Sequence, residues 1–243
     1  MDKLKFKAAT WQNLIRFERA NAFFKPKDKV LAGLSGGADS AALLHFLKQL
    51  ASRGHFEVYA CHVNHGLRAQ AARDADFARR IAAESGVPFV LKKVNVKALA
   101  RREKLSTEHA ARKARYKAFG EAAKKLGCGK IALGHHLDDH VETILLNLLR
   151  GTKAKGLLGI PARRALGRLQ IVRPLLCITR SEVLDYIKAH NLSFIDDETN
   201  FEDIYTRNWV RRRLLPLLES KQPKIRRHLA AMAADLAEYI QNS

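Results

Sequence analysis

The chain has 243 residues, of which 47% are hydrophobic, and this length is enough for one large domain and a small appendage. Its formal net charge of +20 at pH 7 favours a polyanionic partner. No stretch approaches the roughly 18 uninterrupted apolar residues that span a membrane, and the lysine-rich N-terminus lacks the apolar core of a signal peptide, so we expect a cytoplasmic protein without membrane contact. The three cysteines are widely spaced and form no Cys-x-x-Cys pair, which argues against a zinc or iron–sulfur centre.

Hydrophobic periodicity predicts strands and helices that alternate through most of the chain. The predicted strands are 30–34, 56–63, 88–94, 130–134 and 169–172. The predicted helices are 8–24, one from residue 39, 69–85, 106–126, one from near 137, one from 179 or 181 to about 190, 205–216 and 221–240, with 95–105 a loop or short helix. The alternation predicts an α/β fold: a parallel sheet with helices on both faces, plus a C-terminal helical appendage, with domains 1–218 and 219–243.

The turn between the first strand and its helix has the composition of an anion-binding loop. Gly36 and Gly37 let the backbone come close, and the first-turn amides and the helix dipole favour an anion. The hydroxyls of Ser35 and Ser40 are available to donate to phosphate oxygens. Asp39 would repel a bound phosphate, so we interpret it as a ligand of a bridging Mg²⁺; the alternative is an N-terminal helix acid that faces the dipole. No Gly-Lys-Ser/Thr follows, so this is not a Walker loop.

A second polar group follows the fourth predicted strand. Ligands of parallel sheets collect beyond the carboxyl ends of the strands, so residues 35–40, 62–68 and 135–142 are expected to face one crevice. The third range holds two adjacent histidines, and Asp139 and Glu142 lie three residues apart on one helix face. These carboxylates suit either Mg²⁺ or an ammonium group, and their spacing does not separate the two. Acids in a first turn also occur only to complement the dipole.

Two basic runs predict contact with nucleic acid. Residues 92–117 hold ten Lys or Arg against two acids, and residues 161–180 hold five arginines and no acid. A single charge run is usually a solvated face, but two of them in a chain of this net charge favour RNA or DNA. Within the second run we assign Arg163 and Arg164 to the polynucleotide. Anionic lipid is the weaker alternative, because no basic amphipathic helix with large apolar anchors is present.

Five blocks of sequence, spread over about residues 28–218, resemble in order those of the tRNA(Ile)-lysidine synthetases. The first resembles the pyrophosphatase loop shared by the ATP pyrophosphatase superfamily, and the second is more particular to this family. The blocks are Ser35-Gly-Gly-Ala-Asp-Ser40, His62-Val-Asn-His-Gly-Leu-Arg68, Glu108-His-Ala-Ala-Arg-Lys-Ala-Arg-Tyr116, Gly134-His-His-Leu-Asp-Asp-His-Val-Glu-Thr143, and Arg173-Pro-Leu-Leu176 followed by Asp197-Glu-Thr-Asn200 and Arg207-Asn208.

The resemblance implies an adenine nucleotide alpha-hydrolase-like fold and an ATP-dependent ligase in the first domain. ATP would adenylate the C2 oxygen of the wobble cytidine in a CAU-anticodon isoleucine tRNA, and the amino group of free lysine would displace AMP to form lysidine. Its implied ATP-binding residues are Ser35, Gly36, Gly37, Ala38, Asp39 (with Mg²⁺), Ser40, His65 and Arg68. Arg112 would stabilise the reacting phosphate, and Asp139 and Glu142 would bind lysine. Arg207 would be a second arginine on the substrate side, in contact with the tRNA. The simpler alternative for His65 and Arg68 is that they belong to a purely structural turn. The simpler alternative for Arg112 is that it forms a salt bridge on the surface.

Other interpretations remain open. A tRNA thiolase of the same superfamily is the nearest, although those related to the cytidine thiolases need a Cys-x-x-Cys that is absent here. A nucleotide-binding or tRNA-binding module without catalysis is the alternative from another class. The family has additional C-terminal sequence that helps to hold the tRNA, so we expect either a truncated or minimal form or a different mode of tRNA recognition. The apolar stripe of the last predicted helix needs a partner, either the catalytic domain or a second chain in a homodimer.

Overall fold

Within residues 3–66, 70–195 and 205–242, which the computed structural model describes, six strands form one sheet in the order β3-β2-β1-β4-β6-β5. The strands are β1 (Lys29–Gly33), β2 (Glu57–Asn64), β3 (Phe89–Lys93), β4 (Lys130–Ala132), β5 (Arg163–Leu166) and β6 (Leu169–Val172). All neighbouring pairs are parallel except β5 and β6. The predicted α/β fold is therefore confirmed, with a sheet that is mostly rather than entirely parallel.

Helices lie between successive strands as far as β5, and after β6 the helices follow one another towards the C-terminus. They are α1 (Lys3–Asn21), α2 (Ala38–Gly54), α3 (Ala71–Glu84), α4 (Val96–Glu103), α5 (Thr107–Leu126), α6 (Leu137–Leu149), α7 (Arg180–Ala189), α8 (Tyr205–Trp209), α9 (Leu215–Lys221) and α10 (Ile225–Asn242). A 3-10 helix covers Ala154–Leu158, and a π-helical turn, Val210–Leu214, joins α8 to α9. None of the helices in the described ranges is long and apolar enough to cross a bilayer.

The sheet has a core on each face, and adjacent residues of a strand contribute to opposite cores. One row of paired residues packs with Tyr116 and Phe119 of α5; it consists of Leu31, Ile131 and Ile171. The next row packs with residues of α2, α3 and α7; it consists of Ala32, Ala132 and Val172. The carboxyl ends of β1, β2 and β4 are thus held between the two helical layers.

Several local predictions need correction. The strand β5 was not predicted; it forms a hairpin with β6 through Gly167-Arg168, and Gly167 adopts φ 58°, as tight hairpins favour. Residues 95–105, predicted as a loop or short helix, contain the short helix α4, capped by the Asn95 side chain, which accepts a hydrogen bond from Ala98 N (3.0 Å). The predicted helix 205–216 is interrupted by the π-helical turn, and Pro216 lies in the first turn of α9 instead of ending the segment. The last helix begins at Ile225 rather than at 221.

The C-terminal helices pack against α6. Their apolar residues form one cluster with it, and the buried members are Leu137, Val141, Leu145, Leu146, Val210 and Leu215. Leu229 joins this cluster from α10, whereas Met232, placed on the predicted stripe, is 42% exposed. The α6 layer therefore supplies a partner for α10, and both the homodimer and the boundary at 218 stay predictions.

Candidate active site

The loop between β1 and α2 is held together by the hydroxyl of Ser40. Its Oγ accepts hydrogen bonds from the amides of Ser35 (3.1 Å) and Gly36 (3.2 Å) and donates to the carbonyl of Gly37 (2.9 Å). Gly36 lies at φ 98°, a conformation that disfavours any side chain. The amides of the first α2 turn, beginning with Ala38, have no acceptor within the helix. The amides of Ser35, Gly36 and Gly37 thus donate within the loop, those of the first α2 turn remain for an anion, and binding of phosphate here stays a prediction.

A glycine at the end of β4 lets the loop and α6 lie side by side. A Cβ added to Gly134 would lie 2.9 Å from the carbonyl oxygen of Asp39 and 3.3 Å from the amide of Ser40. Backbone atoms cannot yield at that distance, so only glycine fits. This close approach brings the N-terminus of α2 next to the N-terminus of α6.

The carboxylate of Asp39 is shared by two basic groups. It forms an ion pair with the guanidinium group of Arg180, the first residue of α7. His136 Nε2 lies 3.8 Å from the same carboxylate. Asp39 is nevertheless 34% exposed, so an incoming cation can reach it from the crevice.

His136 links the acids of α2 and α6. Its buried imidazole lies 3.5 Å from a carboxylate oxygen of Asp139 and 3.6 Å from one of Asp138, in addition to its contact with Asp39. Burial lowers the pKa of His136, but the three carboxylates outweigh it and leave the pKa above its ordinary value. The geometry therefore favours an imidazolium that offsets part of the negative charge.

Asp138 connects α6 to two other helices. It accepts a hydrogen bond from the amide of Arg180 (2.7 Å) and forms an ion pair with Arg226 of α10. Burial favours the protonated form, but His136, the Arg180 amide and the Arg226 guanidinium together lower the pKa of Asp138 to about 2. We therefore assign Asp138 a structural role.

The two acids predicted to bind lysine face arginines of the C-terminal segment. Glu142 is 1% exposed and accepts hydrogen bonds from Arg207 Nε (3.0 Å) and from Arg211 Nε (2.6 Å) and Nη2 (3.0 Å). Asp139 lies 3.5 Å from Arg207 and 3.9 Å from Arg211, and it also accepts the amide of His136 (3.1 Å). Asp139 and Glu142 thus form one cation-binding pocket, occupied here by guanidinium groups, and Arg207 belongs to it.

A cavity of about 460 Å³ opens beside the loop, within the size range of small-molecule sites. His62, His65 and His135 line it together with Ser35, Asp39 and Ser40. Burial lowers the pKa of His62, whose Nδ1 lies 2.9 Å from the Leu34 carbonyl oxygen. Burial, assisted by nearby guanidinium groups, lowers the pKa of His135 to about 4. These two imidazoles are therefore neutral at pH 7. Arg68, which was predicted to bind ATP together with His65, lies outside the described residues.

The arginines predicted to meet phosphate or tRNA do not share one surface. Arg112 of α5 and Arg164 of β5 both stack on Tyr116, with guanidinium carbons 5.2 Å and 4.8 Å from the ring centroid. Arg163, the neighbour of Arg164, stacks instead on Phe23 at 5.4 Å. The structure therefore brings Arg112 and Arg164 together and places Arg163 on the opposite face of the sheet.

The sequence interpretation missed three residues of this site: His136, Arg180 and Arg211. One signal was available for Arg180, because a cation in the first turn of a helix opposes the dipole and therefore implies an acidic partner elsewhere. His136 lay within a recognised block, but its function as a link between acids depends on the close approach at Gly134. Arg211 depends on the π-helical turn, which the periodicity did not predict.

Comparison with known proteins agrees with the fold and the loop. A family model described as a PP-loop domain matches residues 9–218. A tRNA(Ile)-lysidine synthase of Petrotoga mobilis is 34% identical over 94% of this chain and 72% of its own length. The chain belongs to the tRNA(Ile)-lysidine synthase family of PP-loop proteins. Another tRNA(Ile)-lysidine synthase, of Clostridioides difficile, is 42% identical over 79% of this chain and 41% of its own length.

This member of the tRNA(Ile)-lysidine synthase family spans about half the length of other curated relatives that it matches, 41% to 50% for three of them. Among solved structures, a U34-tRNA thiolase from Methanococcus maripaludis superimposes with a TM-score of 0.84, covering 98% of this chain and 82% of its own, at 20% identity. That likeness concerns the fold alone.

Proposed function

We propose that this chain forms lysidine on the wobble cytidine of a CAU-anticodon isoleucine tRNA, with ATP, Mg²⁺ and free lysine. One observation carries the proposal: His136 lies within 3.8 Å of both Asp39 at the phosphate loop and Asp139 in the cation-binding pocket. An activated nucleotide and an amine donor bound at those places would be close enough to react. A tRNA substrate also implies that the chain acts in the cytoplasm.

The residues at the loop fit a metal-bound triphosphate. Mg²⁺ is commonly held by one or two carboxylates, substrate phosphates and water, so Asp39 suffices as the protein ligand. Its partner Arg180 would then turn to the phosphates, which attract a guanidinium group at least as strongly. ATP would transfer AMP to the cytidine C2 oxygen with release of pyrophosphate, and the lysine amine would then displace AMP from C2. The amides of the first α2 turn and Arg180 would stabilise the charge that develops on the phosphates.

The cation-binding pocket fits the positive charge of lysine. Asp139 and Glu142 already hold two guanidinium groups at hydrogen-bond or ion-pair distance. Lysine would enter by displacing one of them, so that the number of buried charges does not change. The displaced Arg207 or Arg211 would then be available to phosphate. Desolvation of an unpaired Glu142 is avoided throughout, which matters because its side chain is 1% exposed.

Pyrophosphate release and lysine incorporation test the proposal with isoleucine tRNA and methionine tRNA that carry the same CAU anticodon. We expect both signals only with isoleucine tRNA. Asp39→Asn should abolish pyrophosphate release and leave tRNA binding intact, and Asp139→Asn should raise the lysine requirement more than the ATP requirement. Asp235→Asn, an exposed change on α10, is the matched control. Absence of release with isoleucine tRNA, release with both tRNAs, or equal loss in the control would contradict the assignment.

A further inference from the structure

Three arginines converge on one tyrosine at the edge of the sheet. Arg112 and Arg164 stack on Tyr116, and Arg173, the residue after β6, is 2% exposed and interacts with the Tyr116 hydroxyl. We call Arg112, Arg164 and Arg173 the arginine cluster. Tyr116 also lines the cavity beside the phosphate loop, so the cluster lies at the border of the candidate active site.

The register of the sheet explains why Arg164, and not Arg163, belongs to the cluster. Arg164 pairs with Ile171, which pairs with Ile131, so its side chain points to the face covered by α5. Arg163 pairs with Val172, in the row that packs with α2 and α7. Two neighbouring arginines of equal charge therefore face opposite sides of the same strand.

The cluster has an excess of positive charge. In the described parts of the chain, no carboxylate forms an ion pair with Arg112, Arg164 or Arg173. Arg173 Nη1 donates to the Pro161 carbonyl (2.6 Å), but its Nε and that of Arg164 are buried and have no hydrogen-bond partner there. Burial and the neighbouring guanidinium groups lower the pKa of Arg173. A buried cation without a counter-charge, such as Arg173, is costly, so a bound anion would stabilise the cluster.

We propose that the arginine cluster binds a backbone phosphate of the polynucleotide substrate, next to the nucleotide that is modified. The inference rests on the proposed function and names a contact within it. Guanidinium groups suit phosphate, which they bind through two parallel hydrogen bonds. The phosphate loop follows β1, three strands away from β5, or roughly 14 Å at the usual strand spacing. β5 is an edge strand of the sheet, so it is accessible to a polymer.

The test compares Arg164→Gln with Arg163→Gln, which remove the same charge from adjacent positions. The binding of an RNA stem-loop with the CAU anticodon is measured at several salt concentrations, together with the ATP requirement for pyrophosphate release. We expect Arg164→Gln to weaken RNA binding about tenfold and to reduce the salt slope by about one. Arg163→Gln should stay within about twofold. Arg164→Lys, which keeps the charge but loses the planar fork, should be intermediate.

Different results would overturn different parts of the reasoning. Suppose that the wild-type protein modifies isoleucine tRNA and that Arg163→Gln and Arg164→Gln weaken RNA binding equally. Only the overall charge would then matter, which would refute the binding of phosphate by the cluster but not the proposed function. A raised ATP requirement in Arg164→Gln with unchanged RNA affinity would assign the cluster to a phosphate of ATP instead. A wild-type protein that neither binds nor modifies the RNA would refute the proposed function together with this inference.

Discussion

Replacing Asp138 by asparagine is expected to lower the free energy of unfolding at pH 7. The pKa of this carboxyl falls from 3.8 to about 2 on folding, and its side chain is only 14% exposed, so solvent screens it little. A shift of nearly two units corresponds to about 2 kcal/mol. Because the folded pKa is the lower one, this stabilisation is complete above about pH 5, falls to roughly half near pH 3 and is lost below pH 2.

Urea unfolding, followed by circular dichroism between pH 3 and 7, measures this effect. The difference between wild type and Asp138→Asn should be about 2 kcal/mol at pH 7 and should shrink as the pH approaches 3. Asp235→Asn is the control, because it makes the same chemical change at an exposed position of α10. A difference that does not vary with pH, or an equal effect in the control, would refute the assigned ion pair with Arg226 and the hydrogen bond to the Arg180 amide.

Three other substitutions test the rest of the site. Gly134→Ala should weaken ATP binding at least about tenfold, because its Cβ would lie 2.9 Å from the Asp39 carbonyl oxygen. Gly120→Ala, in open space within α5, should instead stabilise the protein by about 0.5 kcal/mol. Calorimetric titration measures the ATP binding, and thermal melting measures the stability. Glu142→Gln should cost about 3 kcal/mol of stability, since it leaves two guanidinium groups without their carboxylate; exposed Glu238→Gln should cost nothing measurable. His136 has a raised pKa in the folded state. Its contribution to the free energy of unfolding is therefore complete below about pH 6.5 and is lost as the pH rises through the raised value. His136→Gln should remove that part of the pH dependence of unfolding.

The parallel part of the fold was predictable because each element carries its own signal. Buried parallel strands are short apolar runs, and α5 begins after Ser106, whose hydroxyl accepts the amide of His109 (3.3 Å). The strand β5 has no such signal. Its sequence is Arg-Arg-Ala-Leu, which does not alternate, and both arginines stack on aromatic rings from distant parts of the chain. A pattern confined to four residues does not contain that information.

The candidate site divides in the same way. Residues of the loop and of α6 could be selected from the sequence, because turn chemistry and helical spacing are local. Their partners could not be, because Arg180, Arg211 and Arg226 lie far from these acids in the sequence. They reach the acids only through the packing of α7, of the π-helical turn and of α10. The sequence left Asp139 and Glu142 open between a metal and an ammonium group, and the structure adds that both accept guanidinium groups.

The distribution of charge in the site follows from these pairs and explains how one crevice could hold ligands of both signs. On the α6 side, every carboxylate of the central group has a basic partner within 4 Å: Asp39, Asp138, Asp139 and Glu142. On the Tyr116 side, the arginine cluster has no acid of the described chain to balance it. A cationic substrate can therefore bind on the α6 side only by exchange with an arginine, whereas a phosphate adds favourably beside Tyr116. If the proposed reaction is correct, raising the salt concentration should weaken RNA binding steeply and change the lysine requirement much less, because exchange of one cation for another releases no counterions.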